Sequence, residues 1–263
     1  MYSKIFKKTL GLSFILALTA CADLRLTLAD NENHLASQVP TPQNIATKEK
    51  LYESTLNYRG LISLYREVLK NQEDPRIRYK LANSYYQKGN SKAALFYLQP
   101  LLSNPRFMEM AMLLQVKCLV QSQEYNKAVA EANKLIAKFP HNPDSYNARG
   151  IALTQTGKFD KAEQDFIKAR ERFLSDVVAV NNLAMLEIVK GEYKNAVRLL
   201  LPQYLDGQKE SRLLHNLVFA LVKSGDTKYA LDIIKKERLN TSATDLVNAL
   251  EKTERVSKGL AVR

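Results

Sequence analysis

The chain opens on Lys4, Lys7 and Lys8, followed by a run from Leu10 to Leu18 that is apolar except for Gly11 and Ser13. Nine residues cannot cross a bilayer, which takes about 20 as a helix. A positive stretch before a short apolar run is instead the pattern of a signal peptide. Residues 22–46 carry Asp30, Asn31, Glu32, Asn33, Pro40, Thr41 and Pro42 and show no apolar periodicity after Leu28. They read as a flexible tether. Leu51, Leu61, Leu64, Val68 and Leu69 then give partial helical spacing over residues 47–70. Beyond residue 74 the pattern becomes a strict repeat. Ala94, Ala128, Ala162, Ala196 and Ala230 are each 34 residues apart, as are Gly157, Gly191 and Gly225, with Gly89 two periods before Gly157. Tyr125, Phe159 and Tyr193 keep the same period.

The residues inside one period explain the spacing. The third unit reads Tyr146, Gly150, Leu153, Gly157, Phe159, Ala162, Phe166, Ala169. A small residue belongs where two helices touch, because a larger one would overpack the contact. A glycine ends the first helix with positive φ. Asp74-Pro75, Asn104-Pro105 and Asn142-Pro143 offer N-caps with proline in the first helical place. The second unit departs most, with Gln123 in the turn place, but keeps Tyr125, Ala128 and Pro140. This 34-residue pattern resembles the tetratricopeptide repeat, a helix-turn-helix unit. The resemblance implies an all-α chain, an α-solenoid of about five to six tetratricopeptide-type helical hairpins with a C-terminal capping helix. The expected organisation is a signal peptide at 1–20, a lipidated tether at 21–46 and a degenerate helical repeat at 47–73. Five repeats follow at 74–240, then a capping helix and tail at 241–263. Gly60, 34 residues before Ala94, supports the degenerate opening repeat.

The segment Leu18-Thr19-Ala20-Cys21 resembles the bacterial lipobox, in which small residues precede a cysteine that is acylated and becomes the first mature residue. Carried over, this makes Cys21 the lipid anchor, and two or more acyl chains hold a protein stably on a membrane. An ordinary cleaved signal with an unrelated cysteine is the plainer alternative. Ala22 follows Cys21 and Asp23 comes one place later. By the enterobacterial sorting rule this favours the outer membrane, facing the periplasm. Cys118, the second cysteine, sits in an apolar helical stretch and reads as a buried small side chain. The formal net charge is +12, and removal of residues 1–20 takes away three lysines and no acid, leaving +9. No run of five basic residues occurs, which argues against nucleic acid and leaves an anionic lipid or an acidic partner.

The 263 residues hold three histidines, His34, His141 and His215, none spaced to share a metal with another ligand. No phosphate loop, nucleophile elbow or HExxH is present, and the pattern calls for no cofactor, metal, small-molecule substrate or catalytic residue. The candidate site is the groove. In tetratricopeptide proteins the first helix of each hairpin lines the concave face, so the resemblance implies Tyr79, Asn83 and Tyr86, then Leu113 and Lys117, then Asn147 and Ile151. It continues with Asn181, Asn182 and Met185, and with His215, Asn216 and Phe219. Asn182 and Asn216 are one period apart and are expected to stack as a ladder, each amide able to donate to and accept from a peptide backbone. The alternative is a set of solvated helix residues without a partner.

Signal, tether and repeats together resemble the TadD lipoproteins of the tight-adherence (Flp) pilus assembly system over nearly the whole chain. That resemblance implies a non-catalytic outer-membrane pilotin that binds the secretin or another pilus-assembly protein and helps it localise or oligomerise. A type IV pilus pilotin and an envelope scaffold recruiting peptidoglycan hydrolases or proteases remain open alternatives. A repeat domain covering a hydrolytic site is a third.

Overall fold

The computed structural model describes residues 42–253, and among them every regular element is helical. Cys21, His34, the signal segment and the tail from Ser257 lie outside the described residues. The chain divides after Asn71 into two compact units.

In the first unit α1 (Pro42–Ser54) and α2 (Tyr58–Asn71) pack as a hairpin. Leu61, Ile62, Leu64 and Tyr65 are buried, and the Tyr65 hydroxyl donates to Glu49 at 2.5 Å. Helix α1 starts at Pro42, so the last five residues of the expected tether are helical. Its first turns are almost wholly polar, which hides a helix from a search for apolar periodicity.

The second unit is a row of five hairpins. They are α3 (Pro75–Gln87) with α4 (Ser91–Leu98), α5 (Met108–Gln121) with α6 (Tyr125–Lys138), and α7 (Pro143–Gln155) with α8 (Phe159–Glu171). Then come α9 (Asp176–Lys190) with α10 (Tyr193–Leu205), and α11 (Ser211–Ser224) with α12 (Thr227–Lys236). A last helix, α13 (Ala243–Lys252), packs on α11 and α12 and closes the row. Its Ser242 cap accepts from the Asp245 amide, and Lys223 on α11 donates to the carbonyls of Glu251 and Thr253.

Every hairpin turns in the same way. Residues 89, 123, 157, 191 and 225 have φ of +84°, +60°, +72°, +84° and +93°. Gln123 therefore adopts the left-handed conformation that glycine supplies in the other four, at a cost of about 1–2 kcal/mol for a residue with a Cβ. The five periodic alanines are fully buried. Two further places, 16 residues apart in each hairpin, are also buried. They hold Ala82 and Leu98, Val116 and Ala132, Gly150 and Phe166, Ala184 and Leu200, and Val218 and Ile234. At Gly150 a Cβ would lie 2.6 Å from Phe166 Cε1, so the ring occupies the volume that a larger residue would need.

The capping expectation holds at Asp74, whose carboxylate accepts from the amides of Arg76 and Ile77. The placement also holds at Asn142, with Pro143 first in α7, and fails at Asn104. Asn104 forms a turn, accepting from the amides of Arg106 and Phe107, and α5 begins only at Met108. A 3-10 segment, Gln99–Ser103, precedes that turn, since Pro100 has no N–H to continue the α-helical ladder. Asn142 makes no side-chain cap bond: its Nδ2 donates to Glu109 at 2.7 Å, which orients the amide, and its buried Oδ1, the atom a cap would use, has no partner among the described residues. One polar link ties three helices. Arg149 on α7 makes a two-pronged pair with the buried Asp165 on α8 (2.7 and 2.6 Å) and donates to Asn133 on α6 at 2.7 Å.

Candidate partner-binding groove

The first helices α3, α5, α7, α9, α11 and α13 each touch the next first helix, whereas the second helices pack only between first helices. The row therefore bends with the first helices on its inner side. The first helices carry the thirteen residues expected in the groove. Met185 is 44% exposed and His215 is exposed, while the other eleven are half-buried.

Half-burial divides these residues into two kinds. Tyr79 lies 6.4 Å from the Phe107 ring, and both Tyr79 and Tyr86 pack against the buried core around Leu98 and Leu114. Leu113 and Ile151 likewise lean on core residues, and Phe219 meets Tyr193 edge-on at 6.1 Å. These side chains offer one apolar flank to the groove and use the other to hold the repeats together. Burial raises the Tyr79 and Tyr86 phenols.

The polar residues are arranged differently from the expected ladder. Asn182 and Asn216 do not bond to each other. Asn182 Nδ2 donates to Asn147 Oδ1 at 2.6 Å, and Asn216 Nδ2 donates to Asn181 Oδ1 at 3.0 Å. The offset is 35 residues rather than 34, because the inward face drifts by one residue between packed helices. Two Asn pairs thus bridge three consecutive first helices. Within each pair the donor Asn keeps its carbonyl oxygen and the acceptor Asn keeps its amide N–H groups, with no partner for either among the described residues. Lys117 faces Asp144 of the next first helix at 3.7 Å, and no described bond reaches Asn83. Each Asn pair presents one acceptor and one donor side by side, the complement of an extended peptide.

Two features did not stand out in the sequence. The Arg149–Asp165–Asn133 link depends on which faces of three helices meet. Met110 and Val178, exposed in the first turns of α5 and α9, extend the apolar part of the inner face. Their spacing of two periods was the available signal. Cys118 lies behind the groove, and burial pushes its thiol up to about 12. Among the described residues no three His, Cys, Asp or Glu side chains gather as a metal-binding group, and no helix is long and apolar enough to cross a membrane.

Comparisons agree with this architecture. The tetratricopeptide repeat family model matches residues 113–176 and 147–207. Tetratricopeptide repeat protein 21B of Xenopus laevis is 23% identical over 118 residues, which is 45% of this chain and only 9% of that protein. A tetratricopeptide repeat protein from Parabacteroides merdae superposes with a TM-score of 0.67 at 16% identity, over 94% of this chain and 97% of that one. A thermophilic repeat protein from Thermus thermophilus gives 0.60 at 19% identity, over 69% and 100%. The fold is an α-solenoid of tetratricopeptide hairpins.

Proposed function

We propose that this protein is a lipid-anchored, non-catalytic assembly factor of the outer membrane whose inner face holds a segment of the secretin of a tight-adherence (Flp) pilus system. Tetratricopeptide arrays are protein-interaction scaffolds, and the observation that carries the reading here is the pair of Asn–Asn bridges on that face. Such bridges recognise backbone more than side chains, which suits capture of an extended segment. The half-exposed flanks of Leu113, Ile151, Met185 and Phe219 supply apolar contact beside them. The anchor comes from the lipobox resemblance at Cys21. Fixing the protein on the membrane would raise the effective concentration of a membrane-bound partner without any new contact.

Binding is tested with purified protein and secretin fragments. Replacing Asn147, Asn181, Asn182 and Asn216 by Ala is expected to weaken capture about tenfold or more, with the helical content and melting transition retained. Unchanged affinity in a folded variant would remove the groove reading. In cells, a deletion strain should lose the secretin multimer, and Cys21→Ser should mislocalise the protein. Normal multimers and normal pili in the deletion strain would remove the pilotin reading.

A further inference from the structure

The two long edges of the second unit differ in chemistry. One edge holds the turns from first to second helix within each hairpin, and no large exposed apolar residue lies there. The other holds the turns from one hairpin to the next. There Phe173 is 96% exposed and Leu205 is 68% exposed. Phe173 goes against two preferences at once. Its φ is +67°, a conformation that a bulky residue rarely adopts, and its ring meets water on nearly every side. One period later the same place holds Gly207, with φ +91°, so the turn itself makes no demand for an aromatic residue.

This edge is held laterally. Arg172 meets His141 at 3.1 Å, Gln203 donates to Asp176 at 3.5 Å, and Tyr204 and Lys209 both donate to Glu237. Lys138, Lys235 and Arg238 lie on the same edge, exposed and outside any ion pair among the described residues. We propose that this edge contacts an anionic membrane surface, with Phe173 and Leu205 entering the interfacial layer and the three cations meeting the headgroups. Asp206 and Glu210 are exposed on the same edge, but the three cations outnumber them, and apolar side chains projecting singly from turns with a cationic excess suit a fluid, negatively charged interface. A protein hot spot would instead call for a pocket or a contiguous apolar patch, which these separate turns do not form. The inference depends on neither the groove's guest nor the lipid at Cys21.

The chain has no tryptophan, so a single reporter can be placed at the edge. The test uses the full chain carrying Cys21→Ser, which removes the thiol that acylation would use. In that background Phe173→Trp is expected to shift its emission to the blue on phosphatidylglycerol-containing vesicles and to be quenched by brominated acyl chains. Pure phosphatidylcholine vesicles should give little shift. Phe96→Trp, exposed on α4, should not respond to either. Lys138→Glu with Arg238→Glu should lower vesicle partitioning by more than about tenfold, at about fivefold for each cation lost. Phe173→Gly should reduce partitioning and leave the melting transition unchanged or higher. A silent Phe173→Trp reporter on both vesicles would overturn the proposal and mark the edge as a surface for protein. An equal response from Phe96→Trp, or a lower melting transition in Phe173→Gly, would overturn it as well.

Discussion

The second hairpin of the row, α5–α6, and the third, α7–α8, fill the same two buried places with opposite choices. In the second, Val116 stands on the first helix and Ala132 on the second. In the third, Gly150 stands on the first helix and Phe166 on the second. The large residue has changed sides while both places stay closed to water. The turns differ too, since the third hairpin has Gly157 at φ +72° and the second forces Gln123 to +60°. A polar link adds a further contrast, because Arg149 and Asp165 clamp the third hairpin where the second has Gln115 and Glu131. The repeat is therefore kept as a set of volumes and one backbone conformation. Residue identity at each place is free as long as the partner place compensates.

The largest effect should come from emptying the third hairpin. Phe166→Ala leaves a cavity against Gly150 and is expected to cost about 3–5 kcal/mol in urea unfolding. A loss below about 1 kcal/mol would mean that the hairpin collapses around the gap and that the two hairpins are less distinct than their packing implies. Asp165→Ala comes next. It leaves the Arg149 guanidinium, whose ionisation the Asp165 carboxylate favours, half-buried with only Asn133 to bond. Part of the charge still reaches water, so the expected cost is about 2 kcal/mol, below that of breaking a fully buried pair. Arg149→Met with Asp165→Leu should recover most of it.

Gly150→Ala tests the volume exchange itself. Helix propensity favours alanine by about 1 kcal/mol, while displacing the Phe166 ring costs about 1–3 kcal/mol. A net loss of about 1 kcal/mol is expected, and Phe166→Leu in the same chain should erase it. If the single change stabilises the protein, the ring is not held in place. The smallest effect is at the turns, where the sign reverses. Gln123→Gly should raise stability by about 1 kcal/mol, and Gly157→Gln should lower it by a similar amount. Equal responses at both places would break the comparison.

The periodic alanines and turn glycines made the hairpins, their order and the location of their contacts readable without coordinates, because each repeat meets only its neighbours. The resemblance to tetratricopeptide arrays assigned the inner face to the first helices, and the thirteen expected residues do lie on those helices. What each one touches was not readable. A period of 34 places residues in equivalent positions, but packed helices are displaced and rotated relative to one another, so Asn182 reaches Asn147 rather than Asn216. One cap bond was lost in the same way: Asn142 has the right type and place, yet its Nδ2 donates to Glu109 of the preceding hairpin and its Oδ1 caps nothing. The exposure of Phe173 lay beyond any pattern, since only the left-handed turn between two hairpins points its ring outward. Local spacing and backbone preference act within one hairpin and are written in its sequence. Side-chain partners between hairpins depend on distances that exist only once the helices have packed.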